Sequence, residues 1–227
     1  MAPAIYLKDM MTSDTLIENS RFIENVAKLT GAVRLEQSGH VTFKGNLFEG
    51  NQVEGDAGAI YFQCIPQSST SECKVVLDSN MFRQNTATRR GGALRYVNTP
   101  FTIAASQGQR VLQGSGGRPA PDSNAFEGNQ AAYGDDIASY PKQFKLHFTQ
   151  GENVIDSASS FAFAPGQTIT GTISILDQEG RLYSDENNAI CTLEFSEGQD
   201  LPPGSQILNN EQVAHDGVFT FDRLSIQ

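Results

Sequence analysis

Four times along the chain a Phe-x-x-Asn tetrad is followed by a small-residue corner and then an aliphatic residue. The tetrads are Phe22–Asn25, Phe48–Asn51, Phe82–Asn85 and Phe126–Asn129, and in the last three an asparagine also stands two residues before the phenylalanine (Asn46, Asn80, Asn124). The corners are Gly31-Ala32-Val33, Gly58-Ala59-Ile60, Gly91-Gly92-Ala93-Leu94 and Gly134-Asp135-Asp136-Ile137. A short alternating strand precedes the tetrad in three copies, at Thr15–Ile17, Val41–Phe43 and Val75–Leu77. Ala4-Ile5-Tyr6-Leu7 matches the post-corner strand Ala59-Ile60-Tyr61-Phe62, so the chain opens within a repeat, as a fragment of something longer would. Recurrence of this kind limits the fold before any single element does, because each unit can bury its apolar face only against its neighbours.

The strand copies at Ile5, Val33, Ile60, Leu94 and Ile137 lie 28, 27, 34 and 43 residues apart. The first two intervals set the base period, and the longer ones carry insertions at 64–73 and 107–121. The residue types suit a single-stranded solenoid, a parallel β-helix whose equivalent positions stack about 4.8 Å apart. An inward phenylalanine then lies on the next, and a turn asparagine pairs its amide with those above and below. A corner glycine admits positive φ, and the alanine beside it keeps a narrow interior clear. Phe22, Val26 and Leu29 also fit one helix face. Gly50, Gly55 and Gly128 break that register in the other copies, at about 1 kcal/mol each.

Together the FxxN and GGA[ILV] tetrads resemble the repeats of chlamydial polymorphic outer-membrane proteins, and of similar pectin-lyase-like β-helices in protist and algal surface proteins. Only Gly91-Gly92-Ala93-Leu94 is a complete GGA[ILV], while all four FxxN tetrads are intact. The resemblance covers about Ala4–Pro141. It implies a right-handed parallel β-helix of about four coils over residues 1–141, an extracellular or cell-surface location, and flanking domains of a longer parent protein. From Lys145 the FxxN pattern stops, and strand-like runs appear at Phe144–Phe148, Phe161–Phe163, Thr168–Leu176, Ala189–Phe195 and Val218–Leu224. Turns at Ala164-Pro165-Gly166 and Pro202-Pro203-Gly204 punctuate them, which predicts an antiparallel β-sandwich over 142–227. Pro165–Gly180 and Gly217–Gln227 resemble strands of Ig-like modules in surface proteins, with the closing hairpin of such a module missing.

Composition narrows the partners. Hydrophobic residues make up 38% of the chain, with 21 glycines and 14 phenylalanines, as a loop-rich β protein requires. The net charge of −10 argues against nucleic acid and against an anionic membrane surface. No run approaches the length of a transmembrane helix, and no signal peptide is visible at the start. Cys64 and Cys73 bracket a Pro/Ser/Thr-rich loop, as a disulfide clamping its base would in an oxidising compartment; in a reducing one they stay thiols.

The residues offer little chemistry. Gly134-Asp135-Asp136 copies the GDD triplet of polygalacturonases, whose paired carboxylates act as acid and base. The Asn-x-Asp before it and the Gly-His-Gly after it are missing, and the simpler expectation is that both aspartates stand in for repeat residues. His40, His147, His215 and Cys191 show no metal-ligand spacing, and Asp185-Glu186-Asn187-Asn188 lacks the order of a calcium loop. Arg89-Arg90 reads as a solvated turn. Tyr61, Phe62 and Tyr96 either stack on sugars or pack between coils. The expectation is therefore a non-enzymatic structural or adhesive segment that uses no cofactor and binds a surface protein or glycan; the alternative is a carbohydrate-active β-helix.

Overall fold

The computed structural model describes residues 2–10, 14–64, 73–97, 102–105, 108–111, 124–151, 153–155, 166–178, 180–195 and 204–227. Every regular element among them is a β-strand. The chain divides into two compact units, Met1–Tyr140 and Pro141–Gln227.

In the first unit the first three repeats are each built from four short strands in a constant order, and the fourth keeps three of these positions and adds one strand. The first repeat supplies β1 (Ile5–Lys8), β2 (Asp14–Glu18), β3 (Arg21–Ile23) and β4 (Val26–Ala27). The second supplies β5 (Val33–Glu36), β6 (His40–Lys44), β7 (Leu47–Glu49) and β8 (Gln52–Val53), and the third β9 (Ile60–Gln63), β10 (Lys74–Asp78), β11 (Met81–Arg83) and β12 (Thr86–Ala87). The fourth holds β13 (Leu94–Val97), β14 (Thr102–Ala105), β15 (Gly108–Val111) and β16 (Ala125–Glu127), and β17 (Ile137–Ala138) follows the last corner. Each strand except β15 pairs in parallel with its counterpart one repeat away, giving the stacked orders β1-β5-β9-β13-β17, β2-β6-β10-β14, β3-β7-β11-β16 and β4-β8-β12. Sequence alone showed two strands per repeat. Two more appear because the FxxN phenylalanine sits within a strand of its own, and the two residues after the asparagine pair again.

Two strands had no sequence signal. Thr102–Ala105 continues the β10 sheet in parallel, and Gly108–Val111, inside the expected insertion at 107–121, folds back on it antiparallel. The rest of that insertion and most of the 64–73 loop lie outside the described residues. Cys64 and Cys73 at the loop base form a disulfide with their Cα atoms 6.2 Å apart.

Alternation decides what faces inward. Val33, Leu35, Val41, Phe43, Ile60 and Phe62 are all 1% exposed or less, while the residues between them look outward. Phe22, Phe48, Phe82 and Phe126 form one continuous stack with centroids 4.7, 5.0 and 4.9 Å apart and ring planes within 11°. Parallel stacking of identical strands forces this spacing, and offset aromatic pairs gain from it. Phe62 and Tyr96 are core residues at 0% and 2% exposure, so of the three aromatics considered for sugar stacking only Tyr61 faces out.

The corner glycines serve two purposes, only one of which was expected. Gly91 has φ +68°, as a left-handed corner requires, but its counterpart in the previous repeat is Ala57, which takes φ +64° despite its Cβ. Gly58 and Gly92 do not have positive φ. A Cβ on Gly58 would lie 2.1 Å from the Gly92 carbonyl oxygen, and one on Gly92 2.1 Å from that of Asp135. These glycines are demanded by close approach of the next repeat's backbone.

Among its described residues the second unit is antiparallel. Its strands are β18 (Pro141–Gln150), β19 (Asn153–Ile155), β20 (Thr168–Asp177), β21 (Ile190–Thr192), β22 (Ile207–Leu208), β23 (Glu211–Val213) and β24 (Val218–Ile226). Five form the sheet β19-β18-β20-β24-β22, and β21 pairs with β23 separately. Phe148, Ile173, Ile175, Phe219 and Phe221 share one buried face of the larger sheet. The expected strand at Phe161–Phe163 lies outside the described residues.

Candidate functional site

The asparagines singled out by the repeat form two ladders, all buried except Asn25, which is half-buried. Each side-chain amide bridges two repeats: Asn51 Nδ2 donates to Asn85 Oδ1 (2.8 Å) and to the Phe22 carbonyl (2.9 Å), and Asn85 Nδ2 to Asn129 Oδ1 (2.9 Å) and the Phe48 carbonyl (3.0 Å). The backbone N–H of each asparagine also donates to the Oδ1 one repeat on, at 3.0 Å for Asn25 to Asn51 and 3.2 Å for Asn51 to Asn85. Asn46, Asn80 and Asn124 repeat the arrangement, with Nδ2 to Oδ1 distances of 3.0 and 2.8 Å, and Ser20 occupies the equivalent place in the first repeat. At the inner rungs Asn51, Asn80 and Asn85 both lone pairs and both amide protons are used, because the amide carries both donor and acceptor.

The GDD triplet belongs to the same ladder. Asn129 Nδ2 donates to Asp136 Oδ1 at 2.9 Å, so a carboxylate takes the place of the next asparagine oxygen. Asp135 Oδ1 accepts the Ala131 N–H at 3.0 Å. In repeat register Asp135 stands at the position of Gly92. Both carboxylates are thus engaged by backbone and amide donors of their own repeat.

Other candidates are dispersed. His40 Nδ1 lies 3.4 Å from Asp14 across the β2–β6 pair, and His215 Nδ1 lies 3.2 Å from Asp216. Glu186 folds its carboxylate onto the N–H groups of Asn188 and Ala189, both at 3.0 Å, and Asn187 Oδ1 accepts from the Asp216 N–H at 2.8 Å. Arg90 forms a parallel bridge to Tyr133. Among the described residues no group of three or more His, Cys, Asp or Glu assembles as a metal site.

A connected outward cluster lies on the β1-β5-β9-β13 sheet. The second residue of each strand reads Tyr6, Arg34, Tyr61, Arg95, in register from one repeat to the next; the first three make up the cluster, and Arg95 is buried at 4% exposure. The Arg34 guanidinium carbon lies 5.5 Å from the Tyr6 ring centroid and 5.6 Å from that of Tyr61, within cation–π range of both. Two residues along, Glu36 accepts hydrogen bonds from the Tyr6 hydroxyl and from Arg34, whose Nε lies 2.7 Å from its Oε1. The bond to Glu36, with some burial, pushes the Tyr6 hydroxyl above its ordinary value. Partial burial pushes the Glu36 carboxyl up, but the Tyr6 and Arg34 bonds outweigh it and hold the carboxyl below its usual range. Burial raises the Tyr61 hydroxyl.

Sequence reasoning found Tyr61 and missed Tyr6, Arg34 and Glu36. The signal was present in the aligned strand copies, read at their polar positions instead of their apolar ones. Set against protein-family models, curated proteins and solved structures, the chain has no match, so its functional reading rests on this geometry.

Proposed function

We propose that Met1–Tyr140 is a right-handed parallel β-helix of about four coils, that the second unit is an Ig-like sandwich, and that together they form a non-enzymatic structural and adhesive segment of a larger cell-surface or secreted protein. The observation that carries this reading is a division of labour within each repeat. Phenylalanine, asparagine and corner glycine are all spent inward on stacking, and the outward positions hold the ordered Tyr6–Arg34–Tyr61 stripe with Glu36 beside it. A rigid scaffold that presents an ordered polar-aromatic face supports recognition of a glycan or a protein surface.

The test is binding of the chain to an immobilised glycan panel and to whole cells, compared with Arg34→Ala and Tyr61→Ala. The expected result is saturable binding by the parent that both variants weaken at least tenfold with their folding unchanged. Turnover of a polysaccharide by the parent, abolished by Asp136→Asn, would overturn the non-enzymatic reading.

A further inference from the structure

The second unit contains a groove of about 410 Å³ lined by Pro141, Phe144, Ile175, Phe219 and the run Glu186, Ala189, Ile190, Cys191, Thr192. Two features of its walls are independent. One wall is an apolar sheet face: Phe144 pairs with Ile175 across β18–β20, and Phe219 lies on the same face from β24. Phe144 remains 65% exposed there.

The opposite wall is a strand seen edge-on. Side chains alternate across a strand, so four consecutive residues, Ala189 to Thr192, line one groove only if it runs along their backbone edge. Hydrogen bonding says which edge. Leu193 donates its N–H to the Asn210 carbonyl and Ala214 to that of Ala189, both at 2.8 Å, and Cys191 pairs with Gln212 between them. Odd-numbered residues therefore point their backbone groups toward β23. Alternation directs those of Ile190 and Thr192 away from it, where no strand among the described residues neighbours β21.

Charge identifies what suits such a site. Residues 141–227 hold twelve carboxylates against four Lys and Arg, a net −8 of the chain's −10. Glu186 lines the groove itself, and Glu211 stands opposite Thr192 in the β21–β23 ladder.

We infer that this groove binds an extended polypeptide strand from a partner protein, with apolar side chains at alternate positions and Lys or Arg at its flanks. Its main chain would pair with Ile190 and Thr192, and its apolar side chains would cover Phe144 and Phe219. This proposal concerns a different unit from the Tyr6–Arg34–Tyr61 stripe and stands without it.

The probe is a synthetic peptide of about six residues, alternating valine and threonine and flanked by lysines. Cys191 reports occupancy: it lines the groove as a free thiol, raised by burial, so bound peptide should slow its alkylation. Expected are saturable protection of Cys191 and slowed exchange of the Ile190 and Thr192 amides. Ile190→Pro deletes an outward N–H while leaving the β21–β23 bonds in place, and should weaken binding at least tenfold. Phe144→Ser, at an exposed position, should do the same with an unchanged melt. Arg34→Ala should leave peptide affinity alone. Equal affinity for a glutamate-flanked peptide, or full binding by Ile190→Pro, overturns the inference. So does protection of the same amides by the chain alone at high concentration, which would make the occupant a second copy.

Discussion

Asn85 sits in the middle of the longer ladder, and replacing it tests whether the stack is held by its amides or only by its apolar interior. Its side chain takes part in four hydrogen bonds: it accepts from the Asn51 N–H (3.2 Å) and Nδ2 (2.8 Å), and donates to the Phe48 carbonyl (3.0 Å) and Asn129 Oδ1 (2.9 Å). Asn51 and Asn85 are both 0% exposed, so water does not replace what is lost. Asn85→Ala strands the Asn51 N–H and one Asn51 amide proton and takes one donor from the Phe48 carbonyl, three lost interactions in all. At about 1–2 kcal/mol for each lost interaction the cost is about 3–6 kcal/mol. Asn25→Ala, at the end of the same ladder, removes one side-chain bond to Asn51 Oδ1, which keeps the Asn25 N–H at 3.0 Å; about 1 kcal/mol is expected. Urea unfolding reads the difference: with an m-value of about 2 kcal/mol/M, the midpoint for Asn85→Ala should fall by roughly 2 M and that for Asn25→Ala by a quarter of this. Equal shifts for the two variants, or a loss below about 1 kcal/mol for Asn85→Ala, would refute the ladder as a stabilising element.

Gly58→Ala places a Cβ 2.1 Å from the Gly92 carbonyl, and should cost about 3 kcal/mol in the same assay. Gly128→Ala meets only the Gln84 Cγ at 3.8 Å, so its φ of +62° sets a smaller penalty of about 1 kcal/mol. Asp136→Asn keeps an acceptor for Asn129 Nδ2 and should leave the melt nearly unchanged, whereas Asp136→Ala should lose about 1 kcal/mol; a reversed order would remove the capping role. Because Glu36 is held below its ordinary 4.5 in the folded state, its contribution is complete above that pH and is lost as pH falls through the lowered value. The stability gap between the parent and Glu36→Gln, about 1 kcal/mol or less, should therefore be flat at higher pH and close only as the pH falls through the lowered value. A gap that widens on acidification would contradict the Tyr6–Arg34–Glu36 assignment.

Repetition made much of the first unit legible from sequence. Once Phe48 aligns with Phe82 and Asn51 with Asn85, parallel stacking dictates ring-on-ring and amide-on-amide contact, since equivalent atoms of successive repeats are separated by one strand spacing. The all-β character followed from the same repeat, with its alternating strands and glycine corners. Local pattern was weaker where a strand borrows its partner from another repeat: Thr102–Ala105 has no distinctive residues of its own and is a strand because Val76 pairs with Thr102.

Three things were decided only in three dimensions. The reason for Gly58 is the Gly92 carbonyl of a residue thirty-four positions away, which no property of the corner itself reveals. The role of Asp136 depends on the free amide proton of Asn129, so a triplet that reads as paired acids in one dimension becomes the end of a hydrogen-bond ladder in three. The outward stripe arises because register brings Tyr6, Arg34 and Tyr61 side by side, although the sequence separates them by 28 and 27 residues. The sequence determined what stacks within this protein, because stacking depends on identity repeated at a period. What the stack turns outward depends on register between different residues, and that only the tertiary structure could decide.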